Sequence, residues 1–245
     1  QLSNVAWTVL FDALELTAAQ VAHLARQARP LVQANGKWVE VDRLDLEKAA
    51  AALAERLSAV NRRFARGLYL NSRSAGFPML RPLASEWVCA TLDSIDEEAL
   101  PFAPESFDLV VSSLSLHAVN DLPGALAQIC RALKPDGLFM AALFGGDTLT
   151  ELRQAFAAAE AETRGGVSPR VAPFAEVRAL GGLLSRAGFA LPVADVERTT
   201  VRYSELSRLF ADLRALGETN VLTERSRNIL SRRTLAALTR HYADS

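Results

Sequence analysis

The chain has 245 residues and a mass of 26.5 kDa, and half of its residues are apolar. That apolar share excludes a disordered chain, and the length suits one large α/β domain, alone or with a small appendage. No stretch of 18 residues is free of charged and polar side chains, so we expect no transmembrane segment. The formal net charge is −1, which argues against a non-specific nucleic-acid binder.

The cysteines and the motifs of the sequence narrow the possible class of protein further. Two cysteines, Cys89 and Cys130, cannot form a disulfide framework or a four-sulfur metal site. No secretory signal is evident at the start, so a reducing, cytoplasmic setting is expected. The sequence has no metal-ligand spacing, P-loop or GxSxG elbow, which disfavours hydrolases and nucleotide triphosphatases and predicts no metal. Its arginines are scattered beside Glu and Asp in helical stretches, which predicts solvated faces.

Residues 1–57 have helical and hairpin character. A helix is predicted to end before Pro30, and two short apolar runs around residues 35–36, Asn-Gly, predict a β-hairpin. An alanine-rich helix follows over about residues 45–60. No residue type or spacing here carries evident chemistry. The segment is predicted to be separate from the rest of the chain and of unknown role.

From residue 58 onward, short apolar runs alternate with helical stretches. This pattern is typical of βα units and of a parallel sheet covered on both faces. A lysine–proline–aspartate–glycine turn is predicted at residues 134–137. The apolar runs are Gly67–Leu70, Trp87–Leu92, Phe107–Leu116 and Leu138–Phe144.

The last hundred residues are mostly helical. Helices are predicted after Thr148, over residues 175–188, and from Ser204 onward with a break near Asn220. Apolar and polar residues alternate over residues 189–203, which predicts an antiparallel pair of strands or one long strand.

The carboxyl ends of parallel strands meet at one edge, where open α/β sheets bind their ligands. Four segments follow the predicted strands and should converge there: residues 71–76, 93–98, 113–120 and 144–148. Their convergence predicts a small-molecule site.

Two features of this edge admit two interpretations each. The cluster Asp96, Glu97 and Glu98 can accept hydrogen bonds from ribose hydroxyls or an adenine amine, or can stabilise a helix N-terminus. His117 can act as a general base, because imidazole titrates near neutrality, or can be a packing residue at a strand end. The residues alone slightly favour packing for His117.

Gly145 and Gly146 allow a ligand to approach the backbone closely, and Asp147 or Thr148 can cap the helix that follows. A plain turn with a helix cap explains the same residues nearly as well.

The chain has three longer characteristic stretches: Leu100–Pro123, Leu133–Gly137 and Phe144–Arg153. They resemble class I S-adenosylmethionine (SAM)-dependent methyltransferases. The subgroup that looks most similar comprises bacterial relatives of a mitochondrial complex I assembly factor, which has a methyltransferase fold and is linked to arginine hydroxylation. The malonyl-carrier-protein methyltransferase of biotin synthesis is a more distant match. Two further stretches also match the closer subgroup, Gly165–Phe174 and Leu213–Asn220.

The resemblance covers roughly residues 58–245 and implies a Rossmann-like sheet with flanking helices and SAM as cofactor. It implies that His117 and Asn120, with Asp147 across the cleft, face the acceptor. Residues 150–188 and 204–245 would form a helical region on the acceptor side. The positions implied to hold SAM are Asn71, Ser72, Gly76, Asp93, Asp96, Glu97, Ser113 and Leu114.

The segment that would hold the methionine end of SAM departs from the family pattern. The family has an acid two residues before the first glycine of its loop, and here Tyr69 and Asn71 take those places. Only about 20 residues lie between Gly76 and Asp96, too few for a further strand, helix and strand. The fold is therefore expected to lack one βα unit, and also the family's last strand.

Three functions follow as hypotheses. The first is a SAM-dependent methyltransferase acting on an unidentified small-molecule or protein acceptor. The second is a complex I assembly factor that modifies an arginine or acts as a scaffold on a complex I subunit. The third is a cofactor-free pseudoenzyme whose SAM loop is degraded.

Overall fold

The structure is a computed structural model. It describes residues 31–34, 37–40, 46–71, 77–91, 95–96, 98–196, 200–203, 205–220, 222, 224–226 and 228–243. The helix predicted before Pro30 lies outside these residues.

The described residues form seven strands and seven helices, with single 3-10 turns at Arg81–Leu83 and Leu116–Ala118. The strands are β1 (Leu31–Ala34), β2 (Lys37–Glu40), β3 (Phe64–Asn71), β4 (Ala84–Thr91), β5 (Phe107–Ser113), β6 (Leu133–Ala142) and β7 (Thr200–Arg202). The helices are α1 (Leu46–Ser58), α2 (Phe77–Leu80), α3 (Leu122–Ala132), α4 (Thr150–Arg164), α5 (Val177–Ala187), α6 (Leu206–Leu216) and α7 (Arg232–Ala243).

Four strands form a parallel sheet in the order β4-β3-β5-β6. Each of the four apolar runs predicted as a strand contributes one of them, and helices flank the sheet. The predicted α/β, Rossmann-like fold is thus confirmed. The described residues between β4 and β5 form no strand, in keeping with the expected loss of one βα unit.

Both faces of the sheet are buried. On one face, Val110 of β5 packs in a cluster with Ile129 of α3 and Leu184 of α5. On the other face, Leu109 and Val111 of β5 pack in a second cluster, which also contains residues of α1. A strand covered on both sides must be apolar at successive positions, which is why β5 reads as a continuous apolar run.

Residues 134–137, predicted as a turn, lie inside β6 as an irregularity in its pairing with β5. Leu133 pairs with Phe107 and Leu138 with Leu109, so four residues of β6 stand against one of β5. Asp136 has a positive φ of 62°. The strand therefore continues through the segment predicted as a turn, and the turn residues interrupt its pairing without ending it.

A second, smaller sheet has the order β2-β1-β7 and is antiparallel. The pairing of β1 with β2 confirms the predicted hairpin, whose turn residues lie outside the described part. In α1, Leu53 and Leu57 are 1% exposed and pack against the four-stranded sheet with Phe64. The division of the chain at residue 58 stays a prediction.

The strand prediction for residues 189–203 was largely wrong. Of the described residues in this segment, only Thr200–Arg202 form a strand, and Ala194 makes an isolated bridge. Phe189 stacks on Phe139 of the main sheet, with ring centroids 5.2 Å apart, and this contact holds the start of the segment over the sheet. Pro192 also lacks the N–H group that a paired strand uses.

The helices that follow β6 build a third cluster. Leu152 and Phe156 of α4 pack with Leu209 of α6 and Leu238 of α7. Helices are therefore present where the sequence predicted them after Thr148 and after residue 204. Within the described part of the chain, no helix is both long and apolar enough to cross a membrane.

Leu57→Ala tests whether α1 is an integral part of the sheet domain. The variant should lose about 2–5 kcal/mol of unfolding free energy, because it leaves a cavity beneath the sheet. Urea unfolding followed by circular dichroism would measure the loss. Glu55→Ala, on the exposed side of the same helix, is the control and should change stability little; equal stability of both variants would contradict the packing.

Candidate functional site

The four parallel strands end in register at one edge of the sheet. Asn71 of β3 pairs with Thr91 of β4 and Ser113 of β5, and Ser113 pairs with Ala142 of β6. The segments expected to carry chemistry therefore leave the sheet at one edge. That part of the prediction is confirmed by the strand register.

Two of the residues implied to hold SAM lie at the end of β5. Ser113 is fully buried, and its hydroxyl has no hydrogen-bond partner among the described residues. Leu114 has a positive φ of 51°, and its N–H donates to the carbonyl of Ala142 over 2.8 Å. The Leu114 side chain packs in an apolar cluster. An unpartnered buried hydroxyl at a strand end is a group that a bound ligand can satisfy.

The structure describes only some of the other positions implied to hold SAM. Asp96 is exposed, and its Oδ1 accepts a 2.8 Å hydrogen bond from the N–H of Glu98. Ser72, Gly76, Asp93 and Glu97, together with the side chain of Asn71, lie outside the described part of the chain. Their roles stay predictions.

Tyr69 occupies the place of the family's acid, and its side chain belongs to the core. It is 1% exposed and stacks on Phe77, with centroids 5.8 Å apart. Leu53 and Leu80 belong to the same apolar cluster. Burying a carboxylate in these apolar surroundings would have a large desolvation cost. The residues around position 69 therefore suit the tyrosine side chain and disfavour an acid.

The acidic cluster includes one residue with a structural function. The carboxylate of Glu98 accepts hydrogen bonds from the N–H groups of Asn120, at 2.6 Å, and Asp121, at 3.2 Å. Asp121 is the N-cap of α3 and accepts from the N–H of Gly124. Glu98 thus satisfies backbone donors just before a helix, which matches the helix-terminus interpretation for this member of the cluster.

His117 lies in the 3-10 turn after β5, and its side chain is only 3% exposed. Its Nε2 lies 2.9 Å from Oε1 of Glu218, which is 101 positions further along the chain. Its Nδ1 is buried and has no hydrogen-bond partner among the described residues. His117 therefore packs at a strand end and also belongs to a polar pair.

Two phenylalanines enclose the His117 ring. Phe144, just after β6, and Phe174, in the connector before α5, have ring centroids 4.7 Å and 5.9 Å from it. The two phenylalanine rings are 5.8 Å from each other. These contacts exclude water from the ring and strengthen its electrostatic interaction with Glu218.

Asn120 and Asp147 are both exposed. Asn120 is held through its backbone by Glu98, and the carbonyl of Asp147 accepts a 2.9 Å hydrogen bond from the Thr150 hydroxyl. The N-cap residue of α4 is Leu149, and it makes no side-chain cap, so neither Asp147 nor Thr148 caps this helix as expected. The acceptor-facing roles of Asn120 and Asp147 stay predictions.

Glu160 of α4 organises the connector after that helix. Its side chain is fully buried, and one oxygen accepts from the guanidinium groups of Arg170, at 2.6 Å, and Arg164, at 3.1 Å. The other accepts from the N–H and hydroxyl of Ser168, at 2.7 and 2.6 Å. The prediction that the arginines lie on solvated faces is wrong here, because Arg170 is 11% exposed and paired with a buried acid.

The same connector reaches the segment that carries Glu218. The side-chain amide of Asn220 donates to the carbonyl of Pro169 over 2.8 Å. Arg153 donates to the carbonyls of Thr148 and Ala172. These bonds join the loop after β6, the connector and the Glu218 segment, and so help to hold Phe174 and Glu218 next to His117.

Sequence reasoning missed Glu218, Glu160 and Phe174 as parts of the site. Two of the stretches that carry the family resemblance, Gly165–Phe174 and Leu213–Asn220, contain Phe174 and Glu218. That pattern pointed to the right segments. The pairing across 101 positions is visible only in the folded chain.

Comparison with known proteins agrees with this architecture. A family model described as a methyltransferase domain matches residues 25–141. The mouse (Mus musculus) protein named arginine-hydroxylase NDUFAF5, mitochondrial, is 50% identical over 149 residues, which cover 61% of this chain and 43% of that protein. The malonyl-[acyl-carrier protein] O-methyltransferase of Xylella fastidiosa (strain M23) is 42% identical over 147 residues, which cover 60% of this chain and 48% of that protein.

A solved structure of a putative methyltransferase from Bacillus halodurans aligns with 56% of this chain and 65% of that chain, at 16% identity and a TM-score of 0.44.

The parallel sheet, its converging strand ends and the sequence matches define a class I methyltransferase architecture. Residues 25–141 of the chain match a methyltransferase domain, and 149 of its residues align with NDUFAF5 at 50% identity. It spans less than half the length of the mouse and Xylella relatives. The family match starts at residue 25, inside the segment that we predicted to be separate.

Glu160→Gln should destabilise the protein by about 3–5 kcal/mol, because it leaves the largely buried Arg170 without its charged partner. Thermal and urea unfolding at pH 7 would measure the loss. Glu162→Gln, two positions away and 44% exposed, is the control and should change stability far less. Similar effects of the two substitutions would show that the Glu160 network does not stabilise the fold.

The pH dependence of stability provides a second test of Glu160. Burial raises the pKa of this carboxyl, but hydrogen bonds from Ser168 and the Arg170 guanidinium outweigh burial and hold the pKa below its ordinary value of 4.5. The stabilisation is therefore present above pH 4.5 and is lost as the pH falls through the folded-state pKa. Unfolding free energy should fall less steeply with acidification in Glu160→Gln than in the parent chain; parallel pH profiles would contradict this.

Proposed function

We propose that the protein binds SAM at the carboxyl edge of the four-stranded sheet and transfers its methyl group to an acceptor beside His117. The observation that carries the proposal is the position of His117. It lies immediately after the central strand β5, at the edge where this family's cofactor would bind, and is paired with Glu218.

The described residues at this edge fit the adenosyl part of SAM. The Ser113 hydroxyl is buried and unpartnered among the described residues, and the Asp96 carboxylate is exposed. A hydroxyl and a carboxylate suit the ribose hydroxyls and the adenine amine. The backbone at Asn71 and Leu114 would border the cofactor. When bound, SAM supplies an electrophilic methyl group.

The acceptor would bind on the other side of this edge from the cofactor, beside His117, Phe144 and Phe174. Positioning the nucleophile in a water-poor pocket lowers the barrier to methyl transfer, and a base beside it can remove a proton from the acceptor. His117 is the side chain at this edge suited to that second task. The acceptor is either a small molecule or a protein group.

Modification of a protein arginine is the second candidate. It is favoured by the 50% identity over 149 residues with a protein named an arginine hydroxylase. Carboxylates at this edge also favour it, because carboxylates bind guanidinium groups with strong paired hydrogen bonds. Glu218 lies beside His117, and the Glu176 carboxylate lies directly over Gly146. In this candidate the partner is a respiratory complex I subunit.

A cofactor-free scaffold is the third candidate, and Tyr69 favours it. A buried aromatic side chain stands in the core at the position where the resemblance implies an acid, and Asn71 takes the implied place of the first glycine of the SAM loop. We keep a reducing, cytoplasmic setting in the proposal, supported by the free thiols Cys89 and Cys130.

Calorimetric titration of the purified chain with SAM and with S-adenosylhomocysteine tests cofactor binding directly. We expect a micromolar Kd, or about −8 kcal/mol, for at least one of them. Absence of both heat and a thermal shift at millimolar ligand would remove the methyltransferase proposal and favour the scaffold.

Ser113→Ala should weaken SAM binding about tenfold, which corresponds to roughly 1.4 kcal/mol, while leaving stability unchanged, since its hydroxyl has no described partner. Ser112→Ala is a matched control one position earlier. The Ser112 hydroxyl lies 3.0 Å from that of Ser115, so its loss should lower stability by about 1 kcal/mol and leave affinity unaltered. The opposite pattern would place the cofactor elsewhere.

Two acceptors separate the first two candidates. Methyl-labelled SAM should transfer label to malonyl-acyl carrier protein if the chain is a methyltransferase of that type. If it is a hydroxylase, an arginine-containing peptide incubated with dioxygen and a two-electron reductant should gain one oxygen atom by mass spectrometry, with the second oxygen atom released as water. His117→Ala should lower turnover on the order of a hundredfold, with little change in SAM affinity. Equal loss of SAM binding would show that His117 is a packing residue.

A further inference from the structure

The ring of His117 has two nitrogens in very different surroundings. Nε2 lies 2.9 Å from the Glu218 carboxylate, and Nδ1 is buried without a hydrogen-bond partner among the described residues. The side chain of Glu218 is 24% exposed, and that of His117 is 3% exposed. Water therefore has little access to the imidazole, so contacts within the protein determine which nitrogen carries the proton.

The two neutral tautomers differ in how well they fit this site. With the proton on Nε2, the ring donates to the carboxylate and Nδ1 keeps its lone pair. With the proton on Nδ1, a buried N–H has no described acceptor, and the Nε2 lone pair faces a negative oxygen. The second arrangement leaves a donor unsatisfied and adds repulsion, so the first is strongly favoured.

We infer that Glu218 is a positioning residue that fixes the proton on Nε2 of His117 and thereby leaves Nδ1 as the ring nitrogen able to take a proton. The catalytic role of this arrangement rests on the proposed function. The position of the proton depends only on residues of this chain and can be tested without cofactor or acceptor.

Glu218 is held firmly enough for this task. Its N–H donates to the carbonyl of Leu213 over 2.8 Å, at the end of α6, where Gly217 adopts a positive φ of 81°. Two residues later, Asn220 is bonded to Pro169 in the connector anchored by Glu160. The backbone that carries Glu218 is therefore bonded to the end of α6 and, through the side chain of Asn220, to the connector.

The chain contains a second histidine–glutamate pair that serves as an internal control. Nε2 of His241 lies 3.1 Å from Oε2 of Glu162, but these side chains are 33% and 44% exposed. The two pairs thus share their chemistry and differ in exposure. Only the His117 pair should protect its N–H proton from exchange with water.

Nitrogen-15 NMR of histidine side chains tests the inference without cofactor or acceptor. The chain has three histidines, and His117→Gln identifies the resonances of His117. For the neutral imidazole we expect a protonated Nε2, an unprotonated Nδ1 and a slowly exchanging N–H signal. Glu218→Gln keeps an oxygen acceptor and should retain the signal. Glu218→Ala should lose it, with exchange at least about tenfold faster, while Glu162→Ala should leave it unchanged.

A proton found on Nδ1 in the parent chain would overturn the inference, and so would an unchanged Nε2–H signal in Glu218→Ala. Melting temperatures of both Glu218 variants establish that they are folded, and the position of the proton in the parent chain supplies the test if Glu218→Ala is not. With an active acceptor, Glu218→Ala should lower kcat on the order of a hundredfold and leave KM within about twofold. Correct NMR behaviour with no transfer to any acceptor would count against the proposed function and leave the proton assignment intact.

Discussion

The burial of β5 on both faces is the constraint on which the rest of the structure depends. A strand between β3 and β6, covered by helices above and below, can carry polar groups only near its ends, of which the carboxyl end lies at the candidate site. Ser112, Ser113 and Ser115 are fully buried at that end, and His117 follows them in a tight turn. Parallel pairing then brings the ends of the neighbouring strands to the same edge, so one strand positions both sides of the candidate site.

The sequence predicted the sheet well because its strands are marked by local signals. Apolar runs bounded by turn residues define β3, β4, β5 and β6, and the rule for parallel strands places their ends together. His117 was found because it follows such a run. The prediction failed at residues 189–203, where alternation suggested pairing, because Phe189 is engaged by Phe139 in a contact that no local pattern reveals.

The acceptor side was harder to predict because its key contacts join distant segments. Glu160 looks like any acid on an amphipathic helix, and Arg164 four positions later suggests an exposed ion pair. Its burial depends on Ser168 and Arg170, which the connector folds back over the helix. Glu218 meets His117 only after α6 and the connector are in place. Patterns in sequence located these segments, and tertiary packing determined their partners.

The small sheet joins two parts of the chain that are made at very different times during synthesis. The hairpin of β1 and β2 leaves the ribosome early, while its third strand, β7, lies at residues 200–202. A two-stranded hairpin is only marginally stable in water, and closing so long a loop has an entropic cost. The hairpin must therefore keep an open edge until the main sheet and α4 and α5 have been translated, so completion of this sheet is a late event in folding.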